Sequence, residues 1–185
     1  RICIVMKNYP HLMTLFWLTF FLLSVTKGIS QNSKFFSIAI DPKMMLKGPY
    51  PTSKNGELDL LVRIGKIHDE HHEYGFLFET FPATKYTGYG GFYYYTYLIK
   101  NKRKGFNSWE FATGPEIGLI HRNLNGDKHM SSLFLALNGE TRYFFSSKWG
   151  ILFQANLRIR SDLKEIYGED NIFRFNGAIG LICHW

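Results

Sequence analysis

Cysteine is nearly absent from this 185-residue chain, and that absence limits the fold. The two cysteines are Cys3 and Cys183, and Cys3 falls in a leader that we expect to be removed. A single remaining thiol excludes an internal disulfide framework.

Basic runs are also scarce. The net charge is +7, and no cluster beyond Lys102-Arg103-Lys104 favours nucleic acid as a partner, so none is expected.

Sequence signatures of common enzymes are missing as well. The chain contains no G-x-S-x-G, P-loop, dinucleotide-binding or Cys-x-x-Cys pattern. We therefore expect no cofactor. The densest group of metal-capable side chains contains His68, His71 and His72, interleaved with acids. Imidazole and carboxylate groups can bind zinc, but these residues lie where a hairpin turn is needed, and a solvated turn is favoured over a metal site.

An apolar segment near the start resembles an export signal. Leu12 to Val25 is a run of fourteen uncharged residues, shorter than the ~20 that a spanning helix needs, and small residues follow at Gly28 and Ser30. We interpret residues 1–30 as upstream residues and a secretory signal peptide, and residues 31–185 as one domain. A retained membrane anchor is the alternative interpretation.

The aromatic content is high, at 17% of residues, and favours strands. From residue 34 onward, apolar and polar side chains alternate with a period of two, which is typical of strands with two unlike faces. No helical periodicity is found outside the leader. The pattern predicts eight strands in series: Lys34–Met45, Glu57–Ile67, Glu73–Phe81, Tyr89–Lys100, Trp109–Arg122, Ser131–Phe144, Trp149–Arg160 and Asn171–Trp185.

The size of such a sheet indicates which face lies inside. An eight-stranded barrel has an interior just wide enough to fill with side chains. The large aromatic and aliphatic set would not fit there, whereas the opposite face is mostly small or polar. The prediction is therefore an all-β, eight-stranded, antiparallel, up-and-down transmembrane β-barrel with a polar lumen. A soluble, secreted, lipocalin-like binder, with the apolar set inside, is the alternative.

Charged residues on the inner face should neutralise one another, because an unpaired buried charge is costly. This predicts a plugged lumen rather than an open pore. The expected ion-pair network consists of Asp59, Arg63, Glu79, Glu110, Glu116, Glu140, Arg142, Arg158 and Arg174.

Aromatic residues at one end of the predicted strands form a second pattern. If both ends of the sheet lie on the periplasmic side, these residues fall at a single level, as an interfacial girdle does. The predicted girdle contains Phe36, Tyr74, Tyr97, Trp109, Tyr143, Trp149 and Trp185.

The signal peptide, the eight alternating strands and the final strand from Phe173 to the aromatic Trp185 resemble the small outer-membrane β-barrel families of Gram-negative bacteria, of the OmpX and OmpA-barrel type. The resemblance implies a location in the outer membrane, contact with its lipid, and recognition of the last strand by the barrel-assembly machinery. The stretch Lys100 to Ser108 is longer than the periplasmic turns of those families.

Four functions fit such a barrel. A structural role or loop-mediated binding in the envelope, with the ligand unknown, is favoured over a narrow channel or a lipid-modifying enzyme. One pattern is similar to the outer-membrane lipid A deacylases: His129 and Ser131 with Glu140 later on the same strand. Ser131 and Glu140 are an odd number of residues apart on one strand. Their side chains have opposite parity, which means that they should point to opposite faces of the sheet, so we expect no enzyme activity from them.

Overall fold

The computed structural model describes residues 33–47, 56–68, 71–82, 85–98, 108–123, 129–161 and 172–185. The expected signal peptide and most of the stretch from Lys100 to Ser108 lie outside these residues. Eight strands are present: β1 Lys34–Ile40, β2 Leu60–His68, β3 His72–Phe81, β4 Tyr86–Leu98, β5 Ser108–Asn123, β6 His129–Phe144, β7 Trp149–Arg160 and β8 Phe173–His184.

The strands form a closed antiparallel barrel in the order of the sequence, which confirms the predicted fold class. Closure joins β8 to β1, with Phe35 opposite His184 and Ile40 opposite Ile179. Following the register strand by strand from Phe36 on β1 around the sheet arrives at Phe173 on β8, whereas the β8 residue that pairs directly with Phe36 is Cys183. This ten-residue stagger tilts the strands, as closure of a barrel requires.

The barrel has two distinct ends. We call the end that holds the first residue of β1 and the last residue of β8 the termini end, and the opposite one the loop end. The hairpin connections β2–β3, β4–β5 and β6–β7 lie at the termini end. The loop end holds the connections β1–β2, β3–β4, β5–β6 and β7–β8.

One short helix corrects the sequence interpretation. The predicted first strand runs to Met45, but β1 ends at Ile40 and helix α1, Pro42–Lys47, follows. Asp41 caps this helix, because its Oδ1 accepts hydrogen bonds from the backbone N–H groups of Lys43 (2.8 Å) and Met44 (3.1 Å). Proline is favoured at the first helical position. None of the helices in the described ranges is long and apolar enough to cross a membrane.

Side chains alternate between the two faces of the sheet. The outer face carries exposed apolar groups, with Phe76 and Phe175 each 73% exposed and Leu133 66% exposed. The inner face is more apolar than the expected lumen of mostly small or polar residues. It contains apolar side chains as well as charges, among them Phe35, Phe92, Phe134, Phe144, Leu152 and Ile182.

Close strand contact explains some of the small inner-face residues. A Cβ atom on Gly75 would lie 2.1 Å from the carbonyl oxygen of Ile64 on the neighbouring strand. Gly75 is also the register partner of Gly65, so two glycines lie side by side across β2 and β3. At this position the barrel wall has no room for a side chain.

Candidate functional site

The charged lumen is the most distinctive site of the barrel. The inner-face positions of β2, β6 and β7 bring the guanidinium groups of Arg63, Arg142 and Arg158 into the interior, and each of these side chains is at most 1% exposed. A buried guanidinium group needs carboxylate partners because its desolvation is costly. Two connected clusters supply these partners.

The first cluster centres on Glu140, which lies between two arginines. Its Oε2 accepts a hydrogen bond from Arg63 Nη1, and its Oε1 accepts one from Arg142 Nε at 2.5 Å. The other terminal nitrogen of Arg63 donates to Oε1 of Gln154 on β7. This cluster therefore ties β2, β6 and β7 together across the interior.

Arg142 also forms a bidentate ion pair with Glu73 on β3. Its Nη1 and Nη2 lie 2.6 and 2.8 Å from the two Glu73 oxygens, and Thr96 Oγ1 donates to the same carboxylate at 2.8 Å. Glu110 lies further away, with Oε2 3.7 Å from Arg142 Nη1. Paired hydrogen bonds of this kind are the strongest arginine–carboxylate geometry.

The second cluster lies nearer the loop end and centres on Arg158. Its Nη1 is 2.5 Å from Glu79 Oε2 and donates to the Tyr86 hydroxyl at 2.9 Å, while Tyr86 donates to Glu79 at 3.2 Å. Glu116 joins the two clusters. One of its oxygens is 3.7 Å from Arg158 Nη2 and the other is 3.9 Å from Arg63 Nε.

Aromatic rings line the network and contact its buried cations. Tyr94 is fully buried and donates its hydroxyl hydrogen to Glu116. The Arg63 guanidinium lies 5.5 Å from the Tyr94 ring centroid, Arg142 lies 5.5 Å from that of Phe35, and Arg158 lies 4.6 Å from that of Phe134. Each cation therefore has a carboxylate on one side and a ring on another.

The loop end of the lumen contains a small cavity of about 20 Å³. Asp41, Asp59, Glu79, Asn156 and Arg158 are among its lining residues. Oδ1 of Asp59, Oδ1 of Asn156 and Nε of Arg158 are buried there without a hydrogen-bond partner among the described residues. The volume and the polar lining suit one water molecule.

Asp59 lies in the loop segment before β2, outside the membrane-spanning strands. Burial, together with the neighbouring carboxylates of Glu79 and Asp41, raises the pKa of its carboxyl group to about 8 against the opposing effects of Arg158 and Arg160. The Asp59 carboxyl group therefore holds a proton at neutral pH.

Eight of the nine charged residues expected in the lumen lie on its inner face or at its margin. Asp59, Arg63, Glu79, Glu110, Glu116, Glu140, Arg142 and Arg158 all lie on the inner face or at its loop-end margin. Arg174 is the register partner of Arg158, but it is partly exposed and its Nη1 donates to the carbonyl oxygen of Phe173 at 3.3 Å.

Several members of the network were missed by the sequence interpretation. Glu73 begins the predicted third strand and falls on the same face as Glu79, but it is absent from the predicted network. Gln154 had the correct parity but no charge to attract notice. Tyr86 lies three residues before the predicted fourth strand begins at Tyr89, and Tyr94 lies in that strand among consecutive aromatic residues. Parity alone would have found Glu73, and the aromatic residues had no signal of their own.

The predicted girdle residues lie on the outer face at the termini end. Exposure ranges from 37% for Trp149 to 55% for Tyr97, with Trp109 and Tyr74 between them. Phe36, Tyr143 and Trp185 are partly exposed at the same level. The rings of Trp109 and Tyr143 pack with their centroids 4.9 Å apart.

The three candidate metal-binding histidines lie near the β2–β3 hairpin. His68 and His72 are register partners. Nδ1 of His72 lies 2.5 Å from the Tyr93 hydroxyl, and Nδ1 of His71 lies 3.0 Å from the carbonyl oxygen of Thr96. Within the described residues, no three histidine, cysteine or acidic side chains are grouped as metal ligands.

The candidate His129, Ser131 and Glu140 do not come together as a triad. Ser131 is exposed on the outer face, and Glu140 is 1% exposed in the lumen, so the two point apart as their parity predicts. The side chain of His129 lies outside the described part. A different histidine is near Ser131: His121 on β5 has its Nδ1 3.0 Å from Ser131 Oγ.

The fold and the lumen define the chain as a closed eight-stranded β-barrel with an apolar outer face and an ion-paired interior. No family model and no curated protein matches the sequence.

Two solved structures are similar to this chain. The N-terminal β-barrel domain of OprF from Pseudomonas aeruginosa has 9% identity and a TM-score of 0.53, covering 84% of this chain and 98% of that one. Neisserial surface protein A (NspA) has 12% identity and a TM-score of 0.46, covering 85% and 98%. The expected resemblance to small outer-membrane barrels is thereby confirmed at the level of the fold.

Proposed function

We propose that this chain is an integral outer-membrane protein of a Gram-negative envelope, with strands that cross the lipid and a lumen that is closed to ions. The apolar outer face and its aromatic girdle support the membrane location, because water would oppose such exposure and lipid favours it. The barrel similarity to OprF supports it further. A soluble lipocalin-like binder would instead turn groups such as Phe76 and Leu133 inward.

Migration on gels before and after boiling tests the membrane proposal. A detergent-solubilised barrel that keeps its sheet should migrate differently from its boiled form, and the protein should fractionate with membranes. Purification in buffer without detergent, with no heat-dependent shift, would favour the soluble alternative.

The lumen network is the single observation that carries the proposed role. Arg63, Arg142 and Arg158 are buried, ion-paired and in contact with aromatic rings, and an interior filled in this way supports a lumen that is closed to ions. A structural or loop-mediated binding role in the envelope therefore suits the protein better than conduction.

Single-channel recording in planar bilayers tests this role. We expect the wild-type barrel to give no sustained current when a sixteen-stranded porin in the same bilayer conducts. Replacing the three buried arginines by alanine removes the plug and should introduce small currents. Large open-state currents from the wild-type barrel would overturn the proposed plug.

We also propose that the barrel-assembly machinery recognises β8. Outer-face and inner-face residues alternate along β8 up to Trp185. The pairing of β8 with the adjacent strand β1 closes the sheet. An open edge in hydrocarbon would leave backbone groups unsatisfied, so β8 must be placed correctly during insertion.

A second candidate function is acyl-ester hydrolysis at the outer surface. The observation that favours it is the contact between His121 and Ser131, which lies on the outer face near the loop end. A histidine base beside a serine hydroxyl is the arrangement that activates serine for attack on an ester.

Mass spectrometry of lipid A from cells with and without the protein tests this second function. Ser131→Ala should restore any lost acyl chain, while the adjacent Ser132→Ala, on the inner face, should not. Identical lipid A in all strains would remove this candidate.

A further inference from the structure

Two lysines face each other on the outer surface of the barrel at the termini end. Lys34 of β1 is the register partner of Lys66 of β2, and both are exposed. The backbone N–H of Ile67 donates to the carbonyl of Ser33 at 2.8 Å, which makes Lys34 and Lys66 a non-hydrogen-bonded pair. In this kind of pair the opposing side chains approach most closely.

Like charges directly opposite each other destabilise an antiparallel pair. Neither lysine forms an ion pair with a carboxylate in the described part of the chain. The sheet does not separate them, because both side chains lie on the same face. The positive charge of this pair is therefore available to an anion outside the protein.

The surroundings of the pair match the depth of lipid headgroups. Lys66 lies opposite Tyr74 on β3, and the backbone of Lys34 pairs with Trp185 through two hydrogen bonds of 2.9 Å. Tyr74 and Trp185 belong to the aromatic girdle, which marks the boundary between hydrocarbon and water. An ammonium group at this level can reach phosphate oxygens while its alkyl stem stays against lipid.

We propose that Lys34 and Lys66 form a binding site for the phosphate of an anionic phospholipid in the leaflet at the termini end. A phosphate placed between the two ammonium groups accepts hydrogen bonds from both and removes their repulsion. An anionic headgroup is favoured over a zwitterionic one, whose own cation competes for the phosphate. The site rests on the proposed location of the barrel in a membrane.

Lipid retention measured by native mass spectrometry tests the site. The barrel is reconstituted in vesicles of equal parts phosphatidylcholine and phosphatidylglycerol, extracted, and its bound lipids are counted. The wild type should retain phosphatidylglycerol in preference to phosphatidylcholine. Lys34→Gln and Lys66→Gln should each reduce that preference by about fivefold or more, because the phosphate then loses one of its two hydrogen-bonding ammonium groups.

Lys148→Gln is the matched control. Lys148 is exposed in the β6–β7 turn at the same end of the barrel and carries the same charge, but it is not paired with a lysine. Its removal should leave the lipid preference unchanged. An equal loss in all three variants would show general attraction to the surface and would overturn the site.

Unfolding by urea gives a second measurement. In pure phosphatidylcholine the double variant Lys34→Gln, Lys66→Gln should unfold at a higher urea concentration than the wild type, because its repulsion is gone. Phosphatidylglycerol should raise the midpoint of the wild type but not that of the double variant. Inorganic phosphate at equal concentration should not replace the lipid, because the girdle positions only a headgroup beside the lysines.

The two proposals fail in different ways. A wild-type barrel that inserts and shifts on heating but shows no lipid preference overturns the lysine site alone. A chain that enters neither lipid overturns the membrane proposal on which the site rests. A double variant that keeps the wild-type preference likewise overturns the site.

Discussion

Replacing Glu140 by glutamine tests how strongly the barrel depends on its lumenal ion pairs. The Glu140 side chain has no exposed surface and contacts both Arg63 and Arg142. After the substitution Arg142 keeps its paired contact with Glu73, whereas Arg63 retains only Gln154 and a Glu116 oxygen 3.9 Å from its Nε. The substitution therefore leaves mainly one buried guanidinium group without its nearest carboxylate.

Breaking a buried ion pair from one side costs about 3–5 kcal/mol. We therefore expect Glu140→Gln to lower the free energy of unfolding by that amount, which reduces the folding equilibrium constant about 100-fold or more. The control is Glu110→Gln. Its carboxylate is 13% exposed and lies 3.7 Å from an arginine with two other partners, so a loss of about 1 kcal/mol or less is expected.

Urea titration in phosphatidylcholine vesicles, followed by tryptophan fluorescence and the heat-dependent gel shift, measures both variants. The double variant Arg63→Met, Glu140→Gln should lose less stability than the two single variants added together, because neither partner is left alone. If Glu140→Gln stays within about 1 kcal/mol of the wild type, water solvates Arg63 and the reasoning about a dry network is refuted.

Three further predictions concern the buried carboxyl group of Asp59, the last strand and the close contact of strands at Gly75. The pKa of Asp59 in the folded chain, about 8, exceeds its ordinary value of 3.8, so the ionised carboxylate destabilises the folded state increasingly as the pH rises from 4 to 8. In urea titrations at several pH values, Asp59→Asn should be more stable than the wild type by about 1–3 kcal/mol above pH 8 and equal to it near pH 4. Deletion of Leu181–Trp185 should abolish membrane assembly in fractionation experiments, whereas shortening residues 161–170 should not; equal insertion would contradict the barrel. Gly75→Ala should lower the urea midpoint, since its Cβ would overlap neighbouring backbone, while Gly177→Ala, with its nearest contact at 3.7 Å, should be tolerated.

The bounds of β7 and β3 were predicted best, whereas β2 begins at Leu60, three residues later than predicted. Strand β7 matches its predicted range, Trp149–Arg160, and β3 begins one residue earlier than expected. The error at the end of β1 has a local cause. Asp41-Pro42 is a helix-start signal, but apolar residues on both sides of it extended the strand pattern through the dipeptide.

Alternation of apolar and polar residues does not assign the inner and outer faces of β4. Four consecutive aromatic residues, Phe92 to Tyr95, give both faces similar hydrophobicity, so alternation alone does not assign them. In the barrel Phe92 and Tyr94 are inside, 5% and 0% exposed, and their ring centroids lie 4.8 Å apart. Glycines leave space for two other inner rings: a Cβ atom on Gly65 would lie 2.8 Å from Phe35 Cε1, and one on Gly118 would lie 2.7 Å from Phe134 Cε1.

By itself, the sequence determined the number of strands, their inner and outer faces, and the presence of charges of both signs inside. It could do so because side chains of an extended strand alternate, and a one-residue error would move every apolar group to the wrong face. Only the tertiary structure decided which charges meet. Arg63 and Glu140 lie 77 residues apart on β2 and β6, strands that are not hydrogen-bonded to each other, and they meet across the lumen because closure with a ten-residue stagger brings them to one level. That stagger is a property of the closed sheet as a whole, and no local pattern encodes it.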